Sequence, residues 1–141
     1  MIPRSKESAS CLFVYGTLMR RFEHSMHEFL IQHTEYCCEG YYQGRLYRIS
    51  WYPAVIPSGN PRDKVHGEVY RIRNESQLFP KLDEYEVCSP ENPAAGEYVR
   101  KIAPIRTNDG GSIHCHIYLY NRSLHEARLI PTGRFESDIL R

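Results

Sequence analysis

No apolar run in the 141 residues approaches the roughly 18 that a helix needs to cross a bilayer. The opening stretch, Met1 to Ser10, is polar and lacks the apolar core of a signal peptide. The expectation is a cytoplasmic protein whose residues 1–10 form a flexible leader. An excess of one charge is also missing. Lys and Arg number 18 against 17 Asp and Glu, the formal net charge is +1, and no basic run stands out. That pattern carries no electrostatic footprint for nucleic acid. The five cysteines (Cys11, Cys37, Cys38, Cys88 and Cys115) are odd in number and contain no Cys-x-x-Cys pair. This argues against a disulfide framework and against a structural zinc site, and leaves reduced, mostly buried packing residues. Neither an internal repeat nor a low-complexity linker interrupts the chain, so residues 1–141 read as a single domain.

What is present suits a globular core: 41% hydrophobic and 25% charged residues, in a chain long enough to fold without staples. Eleven tyrosines are the most telling feature. Each offers an apolar body with a polar tip, which fits a lined cleft or a half-buried sheet face.

Cys11 to Tyr15 is a short apolar run ending at Gly16, a buried strand entering a turn. Phe22, Met26, Phe29, Leu30 and His33 recur at helical spacing and predict a helix from Phe22 to Gln32. Strands are expected at Glu35 to Tyr42, Gly44 to Ser50 and Lys64 to Arg73. Pro53, Pro57, Gly59 and Pro61 mark an irregular segment between the last two. Leu78, Phe79, Leu82 and Tyr85 share a helical face, and Asn74 is placed to cap it, but Pro80 shortens the expected helix to Phe79–Glu86. Tyr98 to Ile105 and Ser112 to Tyr120 form two strands joined by an Asp109-Gly110-Gly111 hairpin turn. An edge segment is expected near Leu129-Ile130. Strands outnumber helices and their connections are short. The fold class is therefore α+β: a small, mostly antiparallel β-barrel with two or so flanking helices.

Four segments then align in order: Leu12-Phe13-Val14-Tyr15-Gly16-Thr17-Leu18; Gly44-Arg45-Leu46-Tyr47 with Tyr52-Pro53-Ala54-Val55; Val65-His66-Gly67-Glu68-Val69-Tyr70; and Leu82-Asp83-Glu84-Tyr85-Glu86 with Tyr98-Val99-Arg100. Together they resemble the gamma-glutamylcyclotransferase-like family, in particular its small gamma-glutamylamine cyclotransferase branch. Ile130-Pro131-Thr132-Gly133 is similar to that family's tail. The resemblance implies a small β-barrel and a loop, Tyr15-Gly16-Thr17-Leu18, that holds a gamma-glutamyl group. It also implies one catalytic glutamate, which maps to Glu86. The sequence departs from the pattern at Val87-Cys88, where many members carry a glycine, and in a long loop from Ser89 to Glu97.

The reaction so implied releases an amine from a small-molecule gamma-glutamyl amide and closes the glutamyl part into 5-oxoproline. The substrate's own α-amine attacks its side-chain carbonyl, so the protein mainly fixes a reactive rotamer. No external nucleophile, metal or cofactor is required. A carboxylate takes the proton of the attacking amine and returns one to the departing amine. Burial among Tyr and Leu side chains, and the negative end of the helix dipole, are expected to raise the pKa of Glu86 for that task. Gly16 lets backbone approach the ligand, and the amides of Gly16, Thr17 and Leu18 are candidate anion holders. Tyr118 or Tyr120 is expected to line the pocket, and Arg100 to act as a structural or substrate-facing charge.

Competing readings attach to the same residues. Glu84 is the nearest rival to Glu86 but should face solvent, and Asp83 is an acid that a backbone N–H could hold. His114 and His116 share one side of a strand and suggest either sheet packing or, with an unidentified third ligand, a metal-assisted hydrolase. His24 and His27 are expected to be solvated. Cys88 has no basic neighbour in sequence that would activate it. At the level of the whole protein, the rival to an enzyme is a non-catalytic module that keeps the pocket and binds a small acidic metabolite.

Overall fold

The computed structural model describes residues 10–16, 18–19, 25–50, 52–89 and 91–135. Seven strands and two α-helices occur among them: β1 (Cys11–Val14), α1 (Ser25–His33), β2 (Thr34–Ile49), β3 (Tyr52–Pro57), β4 (Lys64–Ile72), α2 (Glu75–Tyr85), β5 (Tyr98–Thr107), β6 (Ser112–Tyr120) and β7 (Arg128–Leu129). A single 3₁₀ turn, Pro93–Ala95, sits in the loop before β5.

The sheet runs β3-β2-β4-β1-β6-β5, and a further pairing of β2 with β5 closes five of these strands into a barrel. All ladders are antiparallel except β1 with β6, where Leu12 faces His116 in parallel register. Closure removes the free edges of the five strands. The barrel and its flanking helices share one core, in which Phe13, Val65, Val69, Ile105 and Ile117 meet Leu30 of α1 and Leu78 and Leu82 of α2. Every residue of β1 is buried, as the short apolar run predicts for a strand covered on both faces.

The two strands expected across residues 35–50 are one strand of 16 residues. Its first part pairs with β4 and β5, and its second part leaves the barrel to pair with β3 and β7. A β-bulge shifts the register between Tyr36 and Cys38, which leaves Cys37 exposed while Cys11 and Cys115 are buried. The Pro53–Pro57 segment, expected to be irregular, is strand β3. Its two prolines face Arg48 and Gly44 respectively. An even spacing puts both prolines in the same phase of the antiparallel ladder, and an edge strand tolerates their missing donors.

Helix α2 begins earlier than Pro80 allows in isolation. Asn74 caps it, its side-chain oxygen accepting the Gln77 amide at 3.3 Å. Pro80 is exposed within the helix, and the lost backbone bond is offset by burial of Leu78, Phe79 and Leu82 on the opposite face. For α1, the expected start at Phe22 lies outside the described residues. The β5–β6 hairpin turns at Asp109-Gly110-Gly111, with Gly110 at φ 91° and the Asp109 carboxylate accepting the Gly111 amide at 3.0 Å. The tail returns as β7 beside Tyr47 and Arg48, after which the Gly133 carbonyl accepts the His66 amide at 2.7 Å. No described helix is long and apolar enough to cross a membrane.

Candidate active site

Five chain segments converge on one cavity of about 310 Å³. They are the end of β1 with the turn after it, the start of β3, the end of α2, the start of β5 and the end of β6. Its walls include Phe13, Tyr15, Gly16, Leu18, Tyr52, Pro53, Tyr98 and Tyr118, and two carboxylates, Glu86 and Glu97.

Glu86 is the cap residue of α2; its amide bonds back to the Leu82 carbonyl at 2.9 Å. The residue as a whole is half-buried, but its carboxyl is packed deeply enough to be pushed up to about 8. Burial is the largest cause, followed by the negative charges of Glu97 and Asp83. Just beyond it, Val87 adopts φ 51° and its amide reaches the Glu84 carbonyl at 3.1 Å, while Cys88 reaches Asp83 at 2.8 Å. This is the helix-ending geometry that glycine ordinarily supplies, and here a β-branched residue carries it under strain. The carbonyl of Val87 accepts the amide of Glu97 at 2.7 Å, which ties the two carboxylate-bearing segments together.

The helix end is anchored from below. Asp83, buried, accepts Arg100 Nε at 3.0 Å and Nη2 at 3.1 Å, and the Tyr118 hydroxyl at 2.6 Å. The Arg100 guanidinium also stacks 3.9 Å from the Phe79 ring centre and donates to His116 Nδ1 at 3.3 Å. The opposite wall is the turn after β1. Gly16 is buried, its carbonyl accepts the Met19 amide at 3.0 Å, and a Cβ there would lie 2.6 Å from Pro53 Cγ. Leu18 is held through its carbonyl, which accepts His27 Nδ1–H of α1 at 2.7 Å.

Tyrosine hydroxyls around the cavity are already committed. Tyr15 donates to the Tyr118 carbonyl, Tyr98 to the Pro53 carbonyl at 2.5 Å, and Tyr52 to Glu97 Oε2 at 2.8 Å. Burial raises the Tyr15, Tyr98 and Tyr118 phenols, and burial with the Glu97 bond pushes Tyr52 up to about 12. They stay protonated and set the cavity's shape; Glu86 is the group whose proton is mobile near neutrality.

The model of one protein family, "Gamma-glutamyl cyclotransferase, AIG2-like", matches residues 12–137. The chain belongs to that family. A gamma-glutamylcyclotransferase family protein, YtfP, of Citrobacter rodentium is 32% identical over 126 residues, covering 88% of this chain and 93% of the relative. Two solved structures share the fold. An AIG2-like protein of Mus musculus aligns with TM-score 0.68 at 20% identity, over 92% of this chain and 89% of its own. The Bacillus subtilis protein YkqA aligns with TM-score 0.66 at 24% identity over 89% of this chain, which spans only 39% of that longer protein.

Within this gamma-glutamyl cyclotransferase fold, Glu86, Tyr15, Gly16, Leu18 and Tyr118 are brought to one cavity. Thr17 lies outside the described residues, as does His24. Arg100 and Tyr120 do not line the cavity. Arg100 is spent on Asp83, so of its two expected roles the geometry is that of a structural charge, and the substrate-facing role is corrected. Tyr120 shares a face of β6 with Tyr118 and stacks edge-on against Tyr98 at 5.4 Å, at the strand's end and beside the lining residues rather than among them. Glu84 is exposed, as expected. His114 is exposed while His116 is buried against Phe79, so the two do not converge on a metal. His27, expected to be solvated, instead holds the Leu18 turn. Burial raises the Cys88 thiol, which leaves it a poor nucleophile.

Sequence reasoning missed Glu97, Tyr98, Tyr52 and Pro53 as cavity residues. Tyr52, Pro53 and Tyr98 stood inside the family-like segments and were readable from them. Glu97 closes a loop without periodicity, and tertiary bonds bring it to the site: its amide on the Val87 carbonyl, its carbonyl under the Asn121 amide at 2.8 Å, and its carboxylate under the Tyr52 hydroxyl.

Proposed function

We propose that the chain is a gamma-glutamyl cyclotransferase that releases an amine or amino acid from a gamma-glutamyl amide as 5-oxoproline forms. One observation carries this reading: a carboxyl in the wall of a tyrosine-lined, partly open cavity, its pKa pushed up to about 8 by burial. The α-amine of a glutamyl group titrates at about 8 as well. A proton therefore moves between the two at little cost, which is the condition for efficient acid–base catalysis.

The steps follow from that match. The glutamyl end sits against the Gly16–Leu18 wall, which fixes the folded rotamer. The neutral α-amine adds to the side-chain carbonyl carbon, a C–N bond forms, and ionised Glu86 takes a proton from the attacking nitrogen. The oxyanion that results is held by donors of the turn after β1. Glu86 then passes its proton to the departing nitrogen, the original C–N bond breaks, and 5-oxoproline and free amine leave. Glu86 ends as it began. Asp83, Arg100 and Tyr118 touch no reacting atom; they position the end of α2.

The test is 5-oxoproline release from a panel of gamma-glutamyl compounds, followed by mass spectrometry. Wild type turns over at least one, and Glu86→Gln turns over none while still binding it. Binding by both with turnover by neither points instead to a non-catalytic binding module, and activity surviving in Glu86→Gln removes Glu86 as the base.

A further inference from the structure

The cavity takes in the end of β1; the start of that strand, at Cys11, holds a second group of reactive side chains. Leu12 of β1 and His116 of β6 are paired in parallel register. Side chains alternate along each strand, so Cys11 and Cys115, one residue earlier on each, stand level with one another on the opposite face. Phe13 and Ile117 follow them on that face, in the core. Paired strands run about 4.8 Å apart, within the roughly 4.4 to 6.8 Å between Cα atoms that a disulfide spans. Both thiols are free. They are already in contact, the Cys115 thiol donating a hydrogen bond to the Cys11 sulfur.

The two sulfurs are not equivalent. Cys11 is pushed down to about 7, first by the bond from Cys115 and then, against the cost of burial, by the charge of Arg71 and a bond from Ser10. Arg71 faces Cys11 across the β1–β4 ladder. Cys115 is pushed up, first by the bond to Cys11, then by burial and by the charge of Cys11. One sulfur ionises while its partner keeps a proton, which sets a nucleophile beside a resolving thiol. Cys38 is pushed up to about 11 by burial and its bond to Cys37, so it supplies little competing thiolate. Ser10 before Cys11 and Arg71 across from it are exposed; Cys11 itself is 5% exposed and Cys115 is fully covered. Such an opening admits a small oxidant and excludes a bulky one.

We infer that Cys11 and Cys115 are an oxidation site for small hydroperoxides, closing to a reversible disulfide between β1 and β6. The Cys11 sulfur attacks the peroxide, the O–O bond breaks, and Cys11 becomes a sulfenic acid as water or an alcohol leaves. With Cys11 neutral, a charge that kept the proton on Cys115 is gone. Cys115 gives up that proton, its sulfur displaces the sulfenic hydroxyl as water, and the S–S bond forms. The two thiols lose two electrons and two protons in all, the peroxide takes them up, and a dithiol reductant restores them. The chemistry uses neither Glu86 nor a gamma-glutamyl substrate.

The full-length protein is treated with hydrogen peroxide, the remaining thiols are alkylated in denaturant, and tryptic peptides are mapped by mass spectrometry. The expected product is a peptide pair, lighter by two hydrogens, that joins Cys11 to Cys115 and parts in dithiothreitol. Cys37→Ser should form the same bridge, because the exposed thiol takes no part in it. In Cys115→Ser the oxidised Cys11 has no resolving partner and should be captured by dimedone to a greater extent than in wild type. Absence of the linked pair in wild type overturns the inference, as does a bridge made through Cys37 or Cys38 in its place. A bridge that forms only after unfolding overturns it too. Loss of the bridge in Cys37→Ser would put the first attack at the surface thiol and overturn it as well.

Discussion

Arg100 grips both carboxylate oxygens of Asp83, at 3.0 and 3.1 Å, one helical turn before Glu86. Asp83 is buried and Arg100 half-buried; the pair shares the Tyr118 hydroxyl and joins α2 to β5 and β6. Removing one partner leaves the other charge without compensation. Arg100→Ala is expected to cost about 3 to 5 kcal/mol of stability in urea unfolding. Arg100→Lys should recover little of it, since a single ammonium cannot form both bonds. A variant with Ala at this position that unfolds at the wild-type midpoint would show that the anchor is idle.

Glu86 binds its proton more tightly in the folded chain, with a pKa of about 8, than its ordinary value of 4.5. Between those two pH values the folded state holds a proton that the unfolded state has released. Stability therefore falls as pH rises from 4.5 to 8, and levels off above. Glu86→Gln removes that slope. Thermal melts should show the variant gaining on wild type as pH increases, with its largest advantage near pH 9. A constant difference across the range would contradict the raised pKa.

The same ionisation governs turnover. Both Glu86 and the substrate amine must be deprotonated before attack, so kcat/KM should climb with pH and flatten above about 8. Glu97→Gln removes a negative charge that helps hold the Glu86 proton, and the rise should move to lower pH. A profile that stays put in this variant would uncouple the two carboxylates.

Val87 occupies φ 51° at the end of α2, a conformation that costs a residue with a Cβ about 1 to 2 kcal/mol. Glycine adopts it freely but loses about 0.5 to 1 kcal/mol in chain entropy on folding. Val87 is exposed, so little packing is forfeited. Val87→Gly should gain roughly 0.5 to 1 kcal/mol and raise the Tm by about 3 °C. A lower Tm would mean that the Val87 side chain stabilises the loop by contacts worth more than the strain.

Gly16 admits no side chain at its present position, because the added carbon would lie 2.6 Å from the ring of Pro53. Gly16→Ala must move either the turn after β1 or the start of β3, and both are cavity walls. Turnover is expected to fall more than about ten-fold while the fold persists, since small displacements in a site of this kind are costly. Activity near wild type would mean that the turn relaxes without disturbing the substrate.

The barrel was legible where residue periodicity and turn chemistry agree. The Cys11–Val14 run, the alternation of Lys64–Ile72 and the Asp109-Gly110-Gly111 hairpin each follow from local rules. It was less legible where tertiary pairing overrides them. Pro53 and Pro57 signal irregularity in isolation, and only the partner strand makes them an edge. Pro80 signals a helix start, and only the buried face of Leu78, Phe79 and Leu82 carries α2 past it. At the site, Glu86 and the turn after Tyr15 were readable because the family-like segments contain them. Arg100 was ambiguous because nothing in the sequence says which carboxylate it will meet, and Glu97 was invisible because its place depends on a backbone bond across the loop.

That bond, from the Glu97 amide to the Val87 carbonyl, closes the neck of the excursion between them. On its far side Asn121 and Arg122 clasp the Gly96 and Ala95 carbonyls at 3.0 and 2.7 Å. The stretch within is thus a side branch, pinned at its two ends and along its return at Ala95 and Gly96. Peptides exchanged there would change the surface between the two acids' segments, yet leave the spacing of Glu86 and Glu97 as it was. For anyone wishing to graft a new segment beside this cavity, the neck marks the two ends of the insertion.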